Sequence, residues 1–191
     1  GEKKVTQRIY ESFSDHGYEI MQPDNLKKAV QTASDFGVAQ KRNRVIIIGI
    51  KRSAKSDIFN LETVYSEINS QKTKKKKKLI DVIGHLPKFI PAETITKSGG
   101  RKFSHKPLDK DIAIPANHEP RFHNERDIKI FREWVSKNMN KHNMEDRIQF
   151  YNHLMGKNSK HGKYRNLEWD KPSQTIVAHL YKDGLMFIHP D

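Results

Sequence analysis

Three polar side chains at alternate positions, Gln40, Arg42 and Arg44, offer the clearest chemistry in this sequence. If the chain is extended there, the alternation places one amide and two guanidinium groups on the same side. Such donors suit an anionic or carbonyl-rich ligand, for example a nucleic acid. The same pattern is also typical of a solvated strand edge, so the triplet alone leaves both interpretations open.

The elements around the triplet predict how it is positioned. A turn containing Gly37 precedes it, and residues 45–50 form an apolar, β-branched run that predicts a strand buried on both faces. Apolar side chains at helical spacing predict a helix over residues 3–16, which Gly17 would end. These elements favour part of an α/β sheet, and an incomplete sheet would expose an edge that needs a cover.

Further periodic segments follow downstream. Helical spacing predicts helices over residues 59–68, 127–135 and 144–155, whose apolar stripes are more typical of a packed core than of a cofactor site. Residues 173–180 and 185–189 flank an Asp-Gly pair, which predicts a β-hairpin.

Two basic segments interrupt this pattern. Five consecutive lysines at residues 74–78 repel one another, which predicts a flexible, solvated loop near residues 70–78. The same lysines could neutralise nucleic-acid phosphates without a fixed geometry. The Ser-Gly-Gly-Arg-Lys sequence at residues 98–102 predicts a surface turn, and its glycines would allow close approach to a DNA groove. Its spacing does not match a phosphate-binding Walker loop.

Composition limits the class of protein. The chain has 191 residues, with 36 Lys+Arg against 23 Asp+Glu, a net charge of +13. This excess is typical of a polyanion binder, although a basic soluble protein could share it. The absence of cysteine excludes disulfides and cysteine-bound zinc and fits a reducing cytosol. No apolar run approaches the roughly 20 residues that span a bilayer, so we expect no membrane partner and a cytoplasmic location.

The ten histidines raise the question of a metal site. His118 with His123, and His153 with His161, are the pairs closest in sequence to a metal-ligand arrangement. Neither pair has the i,i+4 spacing of one helix face, and no His-Glu-x-x-His motif occurs. No Gly-x-Ser-x-Gly elbow is present either. We therefore expect no metal ligands and no serine nucleophile.

With its flanks, the triplet resembles the Gln-x-Arg-x-Arg motif of the DNA cytosine-5 methyltransferases, over residues 35–50. Three further blocks resemble segments of that family in the family's order. They are residues 16–20, which precede the motif, residues 79–87, which open its variable region, and residues 171–178 with 187–190, which resemble its close. The middle, roughly residues 91–163, matches only loosely, as expected of a target-recognition region.

The resemblance implies an α/β fold: the trailing strands and helix of a Rossmann-like methyltransferase sheet, followed by a mixed α+β target-recognition domain. Residues 1–55 would be the C-terminal part of the catalytic domain, and residues 56–191 the target-recognition domain. The family's Gly-rich cofactor loop, Pro-Cys nucleophile and Glu-Asn-Val motif are absent from the sequence. We therefore expect a piece cut at both ends, inactive alone; Gly1 in place of Met supports a processed or engineered start.

The resemblance also implies a reaction. The parent enzyme, of the bacterial or phage restriction-modification kind, would transfer a methyl group from S-adenosylmethionine to C5 of a flipped cytosine. A cysteine and a glutamate elsewhere would act on C6 and N3. Arg44 would hydrogen-bond the cytosine O2, Arg42 would steady the nucleophile loop or a phosphate, and Gln40 would order that loop. Ala39 stands where the family usually has proline. No cofactor is expected on this portion alone.

Duplex DNA and the N-terminal catalytic portion are the implied partners. Candidate DNA-binding residues, chosen as donors on basic or turn segments of the recognition region, are Arg101, Lys102, His161, Lys163, Arg165, Ser173 and Gln174. For Ser173 and Gln174, simple turn formation after Pro172 explains the residues equally well.

Three alternative interpretations stay open from the sequence. The chain could be a stand-alone, non-catalytic DNA-binding module, one subunit of a split methyltransferase, or a basic RNA-binding protein. The order of the blocks argues against the RNA-binding alternative, and aromatic-rich RNA-recognition strands are missing. A methyltransferase of this kind would work in the bacterial or phage-infected cytoplasm, in association with the nucleoid.

Overall fold

The computed structural model describes residues 4–161, 164–176 and 187–191. The chain forms two compact units: unit 1 comprises residues 1–79 and 170–175, and unit 2 comprises residues 80–169 and 176–191. In chain order the helices and strands are α1 (Val5–Asp15), β1 (Tyr18–Glu19), β2 (Val30–Thr32), β3 (Gln40–Lys41), β4 (Asn43–Val45), β5 (Ile50–Lys51), α2 (Leu61–Ser70), α3 (Ile80–Ile83), β6 (Phe89–Ser98), β7 (Arg101–Pro107), α4 (Glu125–Ser136), α5 (Met144–Met155), β8 (Arg165–Asn166), β9 (Ser173–Gln174) and β10 (Phe187–Ile188).

Unit 1 begins with the predicted helix, which is confirmed as α1. Gly17 follows it with φ +77°, a conformation that glycine adopts without steric cost. Strand β1 then pairs antiparallel with β5, and Ile20 and Ile50 are both buried. A Cβ atom on Gly49 would meet the Phe13 ring at 3.0 Å, so glycine allows α1 to pack closely on this segment.

The core of unit 1 forms where α2 covers the turn after β1. Leu26, Ala29 and Tyr65 are buried together, and half-buried apolar side chains including Ile47 and Ile48 pack around them. The predicted helix at 59–68 is confirmed, but it begins later, at Leu61. Asn60 explains the shift, because its side chain accepts from the Thr63 amide and fixes the N-terminus.

The predicted strand over residues 45–50 is wrong as a single buried element. β4 ends at Val45 and β5 begins at Ile50. Between them the Tyr65 hydroxyl donates to the Ile46 carbonyl oxygen at 2.9 Å and accepts from the Ile48 amide at 3.3 Å. A side chain thus takes the place of a neighbouring strand, and Val45 stays 59% exposed.

Unit 2 is organised around an aromatic core. Trp134 and Ile130 of α4 are fully buried, and Tyr151 of α5 and Tyr164 pack against them. Both predicted helices are confirmed. Asn124 and Asn143 accept hydrogen bonds from the amides of Asp127 and Asp146, and so cap the two N-termini.

A long two-stranded ribbon, β6 with β7, also belongs to unit 2. Its register shifts between Pro91 and Thr96, which is a bulge in β6. Gly99 and Gly100 form its two-residue turn with φ +53° and +77°, as primed hairpin turns require. The predicted surface turn at residues 98–102 is therefore the tip of an ordered hairpin.

The hairpin predicted around residues 182–184 lies in part outside the described residues. Its described flanks pair elsewhere: β9 lies parallel to β3, and β10 lies parallel to β8. The pairing expected between residues near 175 and 189 is therefore not the one that these flanks make, because each flank completes the ladder of a different unit.

The mixture of helices and strands confirms an α/β composition, while the Rossmann-like arrangement stays a prediction. Within the described residues, each ladder has two strands. The boundary between the two compact units falls after residue 79, because α2 packs on the core of unit 1. The functional boundary predicted from the sequence lies earlier, at residue 55. In the described part of the chain, no helix combines the length and apolarity needed to cross a membrane.

Candidate nucleic-acid interface

A short 3₁₀ turn, Ala33–Phe36, delivers the chain into the polar triplet. Gly37 follows with φ +80°, and the Val38 amide donates to the Ala33 carbonyl at 3.3 Å, which closes the turn. Ala39, at the end of this turn, is buried, so the chain is anchored in the protein just before β3 begins. The backbone therefore presents the triplet from a defined position.

The triplet does not lie on one continuous extended strand. Gln40 belongs to β3 and Arg44 to β4, and between them the Arg42 amide donates to the Gln40 carbonyl at 3.1 Å, a tight turn centred on Lys41. The condition for placing all three side chains on one side is therefore not met. Gln40 is half-buried, while Arg42 and Arg44 are exposed.

Arg44 is held by local contacts. Its strand pairs with β2 through Gln31, and its guanidinium Nη1 donates to the Asn43 carbonyl at 2.8 Å. Asn43 is itself held by the Thr32 hydroxyl, which donates to its side-chain oxygen at 3.0 Å. An exposed guanidinium with a backbone partner one residue away could exchange that partner for a ligand at little cost.

Two predicted residues from the far end of the chain lie beside the triplet. Gln40 pairs with Ser173 and Lys41 with Gln174 in the parallel β3–β9 ladder, and the Ser173 amide donates to the Ala39 carbonyl at 2.9 Å. The Thr175 hydroxyl donates to the Lys41 carbonyl at 2.9 Å. Ser173 is buried and Gln174 is exposed, so only Gln174 presents its side chain to solvent.

The lysine-rich segment is irregular, as predicted, but it is anchored rather than loose. The Thr73 amide donates to the Asp35 carbonyl at 2.8 Å, and the Lys76 ammonium lies 2.9 Å from the Asp35 carboxylate. Lys72 lies 5.9 Å from the centre of the Phe36 ring. After the run, buried Leu79 donates its amide to the Lys171 carbonyl at 2.9 Å. The segment therefore contacts the 3₁₀ turn that leads to the triplet.

The other predicted DNA-binding residues lie in unit 2, on separate elements. Arg101 and Lys102 lie at the tip of the β6–β7 ribbon and are exposed. His161 is exposed in a turn where its amide donates to the Ser159 hydroxyl at 3.3 Å, and Arg165 is half-buried in β8. Lys163 lies outside the described residues. The described members of this set therefore lie on three separate elements, the ribbon tip, a turn and β8.

Three histidines of unit 2, His105, His118 and His123, are half-buried against neighbouring groups. The His123 ring stacks edge-on against His105 and Phe131, with centroids 5.7 and 5.1 Å away. Burial lowers the pKa of both histidines, because a charged ring loses hydration there. His118 bonds the Pro87 carbonyl at 2.9 Å. Over the described ranges, no three His, Cys, Asp or Glu side chains are arranged to hold a metal ion.

Comparison with known proteins identifies the family. The family model described as C-5 cytosine-specific DNA methylase matches residues 1–180. The chain belongs to this family, and the resemblance seen in the sequence is confirmed.

Two curated relatives carry the same kind of name. The type II methyltransferase M.Bpa9945I of Bacillus paralicheniformis is 30% identical over 207 aligned residues, which cover 98% of this chain and 44% of that protein. The type II methyltransferase M.AgeI of Thalassovita gelatinovora is 57% identical over 28 residues, 15% of this chain and 6% of that protein. The chain thus spans less than half the length of the relatives it matches. No solved structure matches significantly.

Proposed function

We propose that this chain supplies the Gln-x-Arg-x-Arg motif and the target-recognition region of a DNA cytosine-5 methyltransferase. The observation that carries the proposal is the family match over residues 1–180 together with the β3–β9 ladder. That ladder brings the motif block, residues 35–50, beside the last family-like block, residues 171–178. Residues 1–55 would complete a Rossmann-like catalytic sheet, and most of residues 56–191 would read the DNA.

Arg44 is the residue we assign to the reacting base. When a thiolate attacks C6 of cytosine, negative charge develops on O2, and a guanidinium donating to that oxygen stabilises the charge. The exposed Arg44 guanidinium, which donates to the neighbouring Asn43 carbonyl at 2.8 Å, suits this role. Arg42 would contact the nucleophile loop or a phosphate, and Gln40, half-buried beside β9, would order the same loop.

The rest of the chemistry comes from outside this sequence. With no cysteine, the chain cannot form the covalent bond to C6. It also has no Gly-rich cofactor loop, so none of its residues is assigned to S-adenosylmethionine, the methyl donor of the complete enzyme. A methyl-transfer assay on this chain alone should therefore show no turnover, and clear turnover by a pure sample would overturn the assignment.

The proposed partner is duplex DNA. A net charge of +13 and the anchored lysine run at residues 74–78 would supply phosphate contacts. Base contacts would come from side chains of unit 2 and from Gln174, through donors and acceptors in a groove. Such an enzyme would work in the cytoplasm of a bacterium or of a phage-infected cell, near the nucleoid.

Arg44→Ala in the complete enzyme tests the proposal. We expect single-turnover methylation to fall about 100- to 1000-fold, as for other lost oxyanion donors, while the dissociation constant for DNA changes less than about tenfold. Arg44→Lys should recover little, because lysine lacks the planar fork. Arg8→Ala, which removes an exposed guanidinium from α1, is the control. Equal losses of binding and methylation in Arg44→Ala would make the residue a phosphate contact instead.

The absence of cysteine also favours a second candidate, a subunit of a split methyltransferase. Mixing this chain with a separately expressed cofactor-binding portion would test it. Restored methylation would support two chains. No restoration, with activity only from a continuous chain, would favour the single enzyme. A stand-alone, non-catalytic DNA-binding module would bind duplex DNA and give no methylation, either in the mixture or as part of the continuous chain.

A further inference from the structure

The distal half of the β6–β7 ribbon is exposed on both faces. Every residue from 93 to 102 is exposed, although the strands alternate their side chains between two faces. Burial begins only at the base, with Ser104. Beyond the bulge, the three paired positions from Thr96 to Ser98 extend roughly 10 Å at about 3.4 Å per residue, and the two-glycine turn lies beyond them. A ribbon of this kind is held by its own ladder and turn, not by the core of unit 2.

The charged side chains at the tip of the ribbon are all positive. Residues 94–103 include Lys97, Arg101 and Lys102 and no acidic residue. Lys97 and Lys102 are direct partners in the ladder, so their two charged side chains project from the same face of the ribbon. Like charges in that position destabilise a hairpin. An anion placed between them would remove the repulsion, so this pair is suited to contact a phosphate.

The existing partners of the tip are weak. The Arg101 guanidinium lies 3.9 Å from the Glu119 carboxylate, and both side chains are well exposed, so the pair contributes little. The Lys102 ammonium lies 5.8 Å from the centre of the Phe122 ring. Neither contact desolvates its cation, so both cations can exchange their partners for a ligand.

We propose that residues 94–103, the ribbon arm, enter the major groove of duplex DNA. The arm rests on the proposed function, since it takes the same partner. A two-stranded ribbon fits that groove, which is about 12 Å wide and 8.5 Å deep, and the paired part of the arm, roughly 10 Å long, matches this depth. The positive tip is complementary to the charge of the groove walls.

The two faces of the arm have different roles, one in phosphate contact and one in base recognition. Lys97 and Lys102 share one face and contact phosphates. Ser98 and Arg101, partners in the next position of the ladder, share the opposite face. Arg101 can donate two hydrogen bonds to O6 and N7 of guanine, so this face reads a base edge. The bulge between Pro91 and Thr96 twists the ribbon where it leaves unit 2, and so sets the direction in which the arm points.

A pair of double variants of the full chain tests the phosphate face. Lys97→Gln/Lys102→Gln removes two charges and relieves their repulsion, so the hairpin should not lose stability. Lys129→Gln/Lys157→Gln removes two exposed charges elsewhere in unit 2 and is the control. For the arm variant we expect the slope of log K against log salt to fall by about 1.8, and affinity for random duplex DNA to fall about 10- to 60-fold at 0.1 M salt. The control should change both much less.

Arg101→Gln tests the base-reading face by selection from a random duplex library. We expect the wild-type chain to enrich a short motif containing guanine, and the variant to lose preference at one position while keeping the salt slope within about 1 of wild type. Double-stranded RNA should not show the arm-dependent part of the binding, because its major groove is too narrow for a ribbon.

The outcomes separate the arm from the proposed function. If the wild-type chain binds duplex DNA but arm and control variants weaken equally, the arm is refuted and the proposed function stands. If the wild-type chain binds no duplex DNA, both fail. If the arm variants change only self-association, measured by light scattering, the exposed ribbon pairs with a second copy and the DNA assignment of the arm is wrong.

Discussion

Tyr65→Phe should loosen the segment that follows the arginine motif. The Tyr65 hydroxyl bridges the Ile46 carbonyl and the Ile48 amide, at 2.9 and 3.3 Å, and the residue is 5% exposed. The phenylalanine ring would fill the same space, so the variant removes two hydrogen bonds and leaves the packing intact. It therefore isolates the polar contribution of one atom.

The expected size follows from what the deletion leaves behind. A buried backbone group without a partner costs about 1–3 kcal/mol. Ile46 is 45% exposed and Ile48 is half-buried, so water can replace part of the lost bonding. The 3.3 Å bond is also long for a strong hydrogen bond. We therefore expect unit 1 to lose about 1–2 kcal/mol of unfolding free energy, toward the lower end of that range.

Amide hydrogen exchange is the assay that reports directly on the Ile48 amide, the donor to the Tyr65 hydroxyl. Both tryptophans of the chain, Trp134 and Trp169, lie in unit 2, so tryptophan fluorescence would not report on unit 1. Exchange at the Ile48 amide should accelerate in Tyr65→Phe, and urea unfolding followed by far-UV circular dichroism should give the free energy with an unchanged m-value.

Tyr10→Phe is the matched control for this experiment. The Tyr10 hydroxyl accepts an exposed bond from the Gln22 side chain at 2.8 Å, so its loss should cost less than about 0.5 kcal/mol. Equal losses in the two variants, or an unchanged exchange rate at Ile48, would refute the idea that the tyrosine replaces a missing strand neighbour.

Three further predictions concern the cores and the lysine segment. Trp134→Ala should cost about 3–5 kcal/mol, because the fully buried indole fills the core of unit 2; circular dichroism melts would measure it, and a loss below about 1 kcal/mol would contradict this packing. Burial lowers the pKa of His105 and His123, so below about pH 6.5 the unfolded chain binds more protons than the folded one. The stability of unit 2 should be complete above that pH and fall as the pH drops below it, as urea midpoints at pH 7.5 and 5.5 would show; equal midpoints would count against it. Lys76→Gln should change stability by less than about 1 kcal/mol, because its ion pair with Asp35 is partly exposed, yet it should speed exchange of the Thr73 amide; no change there would mean that the anchor does not depend on the charge.

The helices could be predicted because their signals are local. Apolar spacing located α1, α2, α4 and α5, and α5 has the predicted bounds. Errors fell at the ends, where a cap decides: Asn60 delays α2 to Leu61, and Asn124 starts α4 at Glu125, two residues before the predicted start. Periodicity reports which face is apolar, but it does not report which side chain satisfies the first amides.

The strands were harder because their partners are distant in sequence. The apolar run at residues 45–50 has the composition of a buried strand, yet burial requires a neighbour on each side. Here Tyr65, from a helix about 20 residues later, takes the hydrogen bonds of residues 46 and 48. Composition cannot distinguish a strand with two neighbours from one bridged by a side chain.

The sequence could name candidate residues for the site, but it could not give their arrangement. The triplet was found from residue types and spacing, but alternation failed at Lys41, where the backbone turns. The adjacency of Gln40 and Ser173 depends on a two-residue parallel ladder, too short to leave a periodic signal. The anchoring of the lysine segment depends on a hydrogen bond from the Thr73 amide and on one ion pair, Lys76 with Asp35, and charge patterning does not reveal such distant partners.

The path of the chain gives a physical reason for placing recognition in the loosely matching middle of the sequence. The chain leaves unit 1 at Leu79 and returns at Asp170. At that point the Leu79 amide donates to the Lys171 carbonyl at 2.9 Å, so the departing and returning segments of unit 1 are joined by a hydrogen bond. An insertion whose ends are fixed side by side adds little loop-closure cost when its length changes. Residues 80–169 could therefore vary to suit a DNA target while β3 and β9 keep the triplet in place, and exchanging that segment should alter DNA preference without moving the arginines.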